Sequence, residues 1–334
     1  MTQGMLALPR FLARLPADRL FVVVTRATAL VAIVLVLSLL SPHFFTFQNL
    51  MNVLRQASLQ FILSAGLTLV ILTGGIDLSV GAVLGLSACL GASLIVSGHV
   101  ALGIAAALAA GLACGLANGM LVTQLRIPAF IATYGMLWIA HGLTYVFMKG
   151  EVIHGFDKGF RFIGAGHVGP IPAPVIAAAI LLGLLYVLLH HTRLGRGIYA
   201  IGGNPVAARL SGMPVNRYLI TVYALSGVLA AFAGLVVIAR VNAADPGTGE
   251  ELLLAAIAAV CLGGTSLFGG QGGIGGTIVG SLILALVING MNLLNVSTFW
   301  QAGGMGLIVL VSVFADQVGG RRVNAAVHHR GGKP

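Results

Sequence analysis

The sequence predicts an all-α polytopic membrane protein of about ten transmembrane helices, and three observations predict it. Apolar residues make up 58% of the chain and charged residues 8%, where a soluble domain carries about a quarter of its residues charged. So few charges cannot cover the water-facing surface of a 334-residue chain. Apolar runs near the roughly 20 residues that a helical span needs recur from end to end between glycine, proline and polar breaks. The basic residues gather in alternate breaks, the pattern that the bias of Lys and Arg toward cytoplasmic loops produces.

Cutting the chain at those breaks gives spans near 21–41, 57–74, 77–97, 100–123, 127–148, 171–191, 218–240, 252–268, 274–295 and 299–318. They form one membrane domain, 21–318, between a cytoplasmic segment 1–20 and a cytoplasmic tail 319–334. The first span follows Arg10, Arg14 and Arg19 and has no small-residue cleavage site after it, so it reads as an uncut span. With both termini on one side, that side holds Arg10, Arg14, Arg19, Arg26, Arg126, Arg193, Arg196, Arg209, Arg217, Arg321, Arg322, Arg330 and Lys333. The other side holds Arg55, Lys149, Lys158, Arg161 and Arg240. This excess places both termini in the cytoplasm and requires an even number of spans. Because the net charge of +10 is spread around the spans and forms no single stripe, it points to the lipid bilayer and away from nucleic acid.

Two polar segments are long enough to matter. Residues 149–170 mix Glu151, Asp157, Lys158 and Arg161 and fall outside, while 192–217 carry four arginines and no acid and fall inside. Two glycine-rich interruptions, Leu72–Gly85 with Gly74, Gly75, Asp77 and Ser79, and Leu262–Gly280 with Gly263, Gly264 and Thr265, occupy corresponding places in the two halves. Paired breaks suggest an internal repeat built on discontinuous helices, and tight glycine hairpins between spans give the same pattern.

The absences narrow the chemistry. No GxxxxGK[ST] occurs, so the chain hydrolyses no ATP by that route. The stretch Gly270-Gln271-Gly272-Gly273-Ile274-Gly275 matches GxGxxG but has no acidic residue about 20 positions on and lies between apolar spans. There is no Ser/His/Asp set, HExxH or metal-ligand spacing, and Cys89, Cys114 and Cys261 each sit in an apolar run. The sequence therefore calls for no catalytic residue, metal or cofactor. Asp77 is a carboxylate at bilayer depth, by default a functional residue, though its position before the third span also suits a helix cap with Ser79. Asn118, Thr133, His141, Ser226, Asn289 and Asn292 lie within spans; such groups usually bond helix to helix. Those facing a central cavity could pass a hydroxylated solute, and Asn118, Thr133, Asn289 and Asn292 are the candidates for that path.

The inside loop carries the sharpest local signal. Asn204 suits a helix N-cap, Pro205 the first helical position and Gly212 the left-handed residue after the end. The prediction is a helix of about seven residues, roughly 10 Å long, surrounded by Arg193, Arg196, Arg209 and Arg217. A helix that short is marginal in water, so it docks on a partner or lies on anionic headgroups.

At this point the sequence resembles a family. Thr73-Gly74-Gly75-Ile76-Asp77-Leu78-Ser79-Val80-Gly81 looks like the hallmark of the ribose-type permeases of bacterial ATP-binding cassette importers. His191-Thr192-Arg193-Leu194-Gly195-Arg196, Ala200-Ile201-Gly202-Gly203-Asn204 and Ala207-Ala208-Arg209-Leu210-Ser211-Gly212 fit the same family, as do Ala256-Ile257-Ala258-Ala259-Val260, Leu262-Gly263-Gly264-Thr265-Ser266-Leu267, Asn289-Gly290 and Asp316. The motifs cover about residues 44–317 in the family's order. The resemblance implies a multi-pass bacterial inner-membrane permease that pairs with a second permease copy, the same or a homologue. It also implies an ATP-binding cassette ATPase on the cytoplasmic side and a periplasmic sugar-binding protein outside. Gly203, Asn204, Ala207, Ala208, Arg209, Ser211 and Gly212 then become the segment that couples to the ATPase. The chain departs from the sugar-specific pattern in one place: Ala255 stands directly before Ala256-Ile257-Ala258-Ala259-Val260, where many members have an acid, and Glu250 and Glu251 come earlier. The implied cargo is a pentose or another monosaccharide, with a sugar-like signalling molecule or cyclitol the alternatives. The rival reading is a secondary transporter, which needs paired ionisable groups at midplane depth; a membrane enzyme or receptor would need a catalytic constellation or a large extramembrane domain.

Overall fold

The computed structural model describes residues 17–301, 303–308, 310–311 and 314; the expected tail 319–334 and most of the expected N-terminal segment lie outside them. The helices are α1 (Ala17–Leu40), α2 (Phe47–Leu72), α3 (Val80–Val96), α4 (Val100–Thr123), α5 (Ala129–Met148), α6 (Lys158–Ala165), α7 (Ala173–His191), α8 (Arg193–Gly203), α9 (Pro205–Leu210), α10 (Val215–Val241), α11 (Leu252–Leu262) and α12 (Ile274–Leu293). Six of them, α2, α4, α5, α7, α10 and α12, are long and apolar enough to cross a membrane, and Arg26–Leu40, α3 and α11 are shorter apolar helices. The expected span near 299–318 is described only in part; its described residues are helical.

The centre of the bundle is α10, which packs on α2, α3 and α4. The α4–α10 contact is made by backbone. Gly111, Gly115 and Gly119 recur every fourth residue along one face of α4 and lie directly against Gly227, Tyr223 and Ile220 of α10. Small residues at that spacing let helix backbones approach closely where lipid supplies no hydrophobic drive. The largest buried cluster joins Phe61, Leu67 and Ile71 of α2 to Leu84 of α3 and Tyr223 of α10.

Sequence boundaries shift where polar side chains are absorbed. Helix α2 starts well before the expected residue 57, at a cap in which Thr46 Oγ1 accepts the Asn49 N–H at 3.3 Å. Its first turns carry Gln48, Asn49, Asn52 and Arg55, which break the apolar run without breaking the helix. Helix α11 stops at Leu262, short of the expected 268, because Gly263 and Gly264 (φ +66°) turn the chain there. The loop expected at 192–217 is largely helical, as α8 and α9.

The connections sort into two ends. At one, the α4–α5 turn with Arg126, α9 with Arg209 and the start of α10 line one groove, and Leu72–Gly75, Gly202–Gly203 and Phe268–Gly270 touch. At the other, β1 (Ile153–His154) pairs antiparallel with β4 (Ala243–Ala244), and β2 (His167–Val168) with β3 (Ile171–Pro172). There Asn242 Oδ1 accepts the Phe156 N–H at 3.0 Å, and Arg55 Nη2 lies 2.9 Å from His167 Nε2.

Candidate functional site

The α8–α9 corner is built as its residues predict. Thr192 Oγ1 accepts the Gly195 N–H at 3.2 Å and starts α8. Asn204 ends α8 and starts α9, its Oδ1 accepting from Val206 N at 3.0 Å and Ala207 N at 2.9 Å. Pro205 occupies the first helical position, which needs no N–H partner. Ser211 Oγ donates to the Ala207 carbonyl at 2.9 Å, and Gly212 reverses the chain at φ +79°. The helix is six residues long. One side chain holds it down: Ala208 is buried against Ile201 and Val215. Opposite, Val206 and Leu210, one helical turn apart, are 66% and 84% exposed beside Arg209. Bare apolar residues flanked by a guanidinium are the make-up of a contact surface. The pair was readable as an i, i+4 spacing, but only the packing of Ala208 shows which face is left open.

Behind that corner three glycine segments meet. Gly270 N–H donates to the Leu72 carbonyl at 2.9 Å, and a Cβ on Gly202 would strike both of those groups. A Cβ on Gly269 would lie 2.7 Å from Gly74 N, and one on Gly270 2.9 Å from Gly203 N. The first break, the second break and the end of α8 thus form one backbone-to-backbone joint with no room for side chains. Tyr199 of α8 donates its hydroxyl to the Gly272 carbonyl at 3.0 Å, and Arg26 of α1 lies over Gly264 and Gly276. Thr265 Oγ1 accepts the Gly273 N–H at 3.3 Å and fixes the second break internally.

Within the first break lies a buried polar knot. Asp77 Oδ1 accepts from Ser79 N at 3.0 Å and Ser79 Oγ at 2.6 Å, and Oδ2 accepts from Ser226 Oγ of α10 at 3.0 Å. Asn118 Nδ2 of α4 donates to Ser79 Oγ at 2.8 Å. Asp77 therefore fixes the turn into α3 through Ser79 and ties it to α10. Gly75 is pressed against the Tyr223 hydroxyl, which donates to the Ile76 carbonyl at 3.3 Å.

The four residues expected along a path are placed differently from one another. Asn118 is in the knot. Thr133 is buried, donating to Ala129 O at 2.8 Å and Ile76 O at 3.3 Å. Asn289 of α12 exchanges side-chain hydrogen bonds with Asn49 of α2, at 2.7 and 3.1 Å. Asn292 is exposed and accepts from Gln301 Nε2 at 2.9 Å. His141, in contrast, pairs with Glu250, Nδ1 to Oε1 at 3.2 Å, on an outward face of α5.

Comparison with known proteins identifies the family. Residues 49–313 match the family described as branched-chain amino acid transport system / permease component. The ribose import permease protein of Escherichia coli K12 is 45% identical over 86% of this chain and 91% of its own. The ribose import permease protein of Bacillus subtilis 168 is 46% identical over 85% and 89%. The D-allose transport system permease protein of E. coli K12 is 39% identical over 86% and 90%. No solved structure matches the chain. The match spans most of the chain and includes both glycine breaks, the Asp77 knot and the α8–α9 corner; this chain belongs to that family of transport-system permeases, multi-pass proteins of the bacterial inner membrane that are not themselves enzymes.

Proposed function

We propose that this protein is the membrane-spanning permease subunit of a bacterial ATP-binding cassette importer that carries a monosaccharide, a pentose first, from periplasm to cytoplasm. Two permease copies enclose the path, a cassette ATPase binds the α8–α9 end, and a periplasmic binding protein delivers sugar to the β1–β4 end. The relatives named for ribose and D-allose support the cargo class. Nine helices, α1–α5, α7 and α10–α12, together with the segment near 299–318, give ten crossings. The end with Arg126, Arg193, Arg196, Arg209 and Arg217 is then cytoplasmic, as the basic-residue bias requires.

The observation that carries the proposal is α9 itself: a capped helix held by Ala208 and presenting Val206 and Leu210 beside Arg209. Burying an exposed Val or Leu contributes about 1.5–3 kcal/mol, so two of them anchor a docked partner. Gly203, Asn204, Ala207, Ala208, Arg209, Ser211 and Gly212 form this coupling element. Nucleotide-driven closure of the ATPase pushes on α9, and the glycine joint passes the displacement to the two breaks.

The test is copurification with candidate cassette and binding proteins, then ATP-dependent uptake into proteoliposomes across a monosaccharide panel. Uptake of a pentose or hexose is expected, and Ala208→Asp or Gly212→Pro should abolish it with the subunit still inserted. Uptake that survives ATP depletion and collapses with the proton gradient would sink the proposal, as would unchanged uptake by both variants.

A further inference from the structure

We propose that the outward face of α5 bearing Tyr134, Trp138, His141 and Tyr145, together with the turn segment Asp245–Glu251, is a contact surface for a monosaccharide inside the membrane. This rests on the importer reading above and adds to it where the cargo is touched.

The first observation is a charged, non-helical stretch laid along α3. Between β4 and α11 the chain does not continue as helix. It runs along α3, where the Gly81 position abuts Gly249 O and the Gly85 position abuts Thr248 O and Pro246 O. Non-helical backbone at membrane depth is tolerated only where protein buries it or where it lines a water-filled cavity. This stretch carries Asp245, Glu250 and Glu251, all three exposed, and the Glu250 side chain is 51% open with its Oε1 3.2 Å from His141 Nδ1. Carboxylates are not left facing hydrocarbon, so this side of the protein is wet.

The second observation is how α5 divides its surface. Ala132, Thr133, Met136, Ala140, Thr144 and Met148 face the bundle. Ile131, Ile139, Leu143 and Val146 are exposed and aliphatic, a surface suited to lipid tails. Between these two faces runs an aromatic ladder from Phe130: ring centroids are 6.0 Å apart for Phe130–Tyr134, 6.3 Å for Tyr134–Trp138, 5.7 Å for Trp138–His141 and 4.8 Å for His141–Tyr145. At 1.5 Å per residue the ladder is about 22 Å long, most of the roughly 30 Å hydrocarbon core. Its polar end meets these turns, because a Cβ on Gly247 would lie 3.6 Å from Glu250 Oε1 and 3.8 Å from Tyr145 Oη.

Ring faces interleaved with a few fixed polar groups are what a small-molecule site presents. A monosaccharide offers a C–H face to stack on Trp138 and Tyr134 and hydroxyls to donate to Glu250 and Asp245 and to bond with His141 and Tyr145. No Lys or Arg lies between Phe130 and Tyr145 or between Asp245 and Glu251, so the surface has nothing to hold the carboxylate or phosphate of an anionic cargo. Several weak contacts in series suit a solute that must leave as readily as it enters.

The experiment uses the assembled importer in membrane vesicles, with Cys89, Cys114 and Cys261 replaced by Ala and single cysteines introduced. A charged, membrane-impermeant methanethiosulfonate, which hydrocarbon excludes, should label Tyr134→Cys, Trp138→Cys and Tyr145→Cys at least about tenfold faster than Ile139→Cys, Leu143→Cys and Val146→Cys. Whichever of D-ribose, D-allose and L-arabinose the wild type imports should slow that labelling. In the native-cysteine background, Glu250→Gln and Trp138→Ala should each cut uptake about tenfold while ATP hydrolysis persists. Equal labelling of the two faces overturns the surface, even if the importer reading stands. Labelling that an imported sugar does not slow overturns the ligand class. A wild type that imports no sugar overturns the importer reading and the ligand with it, and the labelling pattern then still decides whether this face is wet.

Discussion

Gly270 donates its backbone N–H to the carbonyl of Leu72 at 2.9 Å, so the two glycine-rich breaks, remote in sequence, are one mechanical joint. Gly202, the penultimate residue of α8, closes it: no Cβ fits there without striking Leu72 O. Helix α9 begins three residues later, at Pro205. In the coupling route proposed above, the α8–α9 corner connects to both breaks through backbone, without a compliant side chain between.

Gly202→Ala should separate that joint. Overpacking of this kind costs about 1–3 kcal/mol, and here the strain falls on the joint through which the proposed coupling would run. Uptake should fall by about tenfold or more with ATP hydrolysis retained. Gly183→Ala, where an added Cβ meets nothing within 4 Å, is the control and should transport normally. A Gly202→Ala permease that transports like wild type would remove the joint from the coupling route.

The α4–α10 seam should respond in stability. A Cβ on Gly115 meets Tyr223 O and the Ala224 backbone, and one on Gly119 meets Ile220 Cα at 2.7 Å. Gly115→Val forces the two helices apart and should destabilise the subunit by about 1–3 kcal/mol or more. Gly135→Ala, which has open space, should be neutral or raise stability by up to about 1 kcal/mol through helix propensity. Thermal unfolding in detergent separates the two, and similar midpoints for both variants would contradict the packing described.

In the buried knot, Ser226→Ala leaves Asp77 Oδ2 without its 3.0 Å donor. Depriving a buried acceptor of its partner costs about 1–3 kcal/mol, more when the group is charged. The variant should unfold earlier, whereas Ser226→Thr, which keeps a hydroxyl, should recover part of the loss. An unchanged midpoint for Ser226→Ala would mean that the carboxylate finds another donor.

The sequence disclosed those features whose cause is local. Asn204, Pro205 and Gly212 state the beginning and end of α9 by their own backbone preferences, and the helix forms where they say. Composition is equally direct about the bilayer. What the sequence hides depends on partners distant along the chain. The sequence does not show that Asn289 exchanges hydrogen bonds with Asn49, 240 residues away. The polar first turns of α2 read as a loop because Arg55 meets His167 and Asn49 meets Asn289 only after folding. The ladder of α5 is visible in the spacing of Tyr134, Trp138, His141 and Tyr145, but its meaning comes from Glu250, which folding alone brings to it.

Asn204 gives the most direct test of the coupling element, because its side chain does one identifiable thing. Its Oδ1 takes the N–H groups of Val206 and Ala207 and leaves the side chains of α9 untouched. Asn204→Ala removes the cap, at about 0.5–2 kcal/mol, a large share of what a six-residue helix can supply for itself. The helix should fray while Val206, Leu210 and Arg209 remain in the chain. Docking of the ATPase should weaken in step, lowering uptake and copurification together, with insertion and the thermal midpoint of the transmembrane bundle unchanged. Asn204→Asp keeps an acceptor and adds the charge that a helix N-terminus favours, so it should restore both. Should Asn204→Ala copurify with the ATPase as wild type does, α9 needs no preformed helix to dock; should Asn204→Asp fail where Asn204→Ala fails, Asn204 acts through a contact other than its cap.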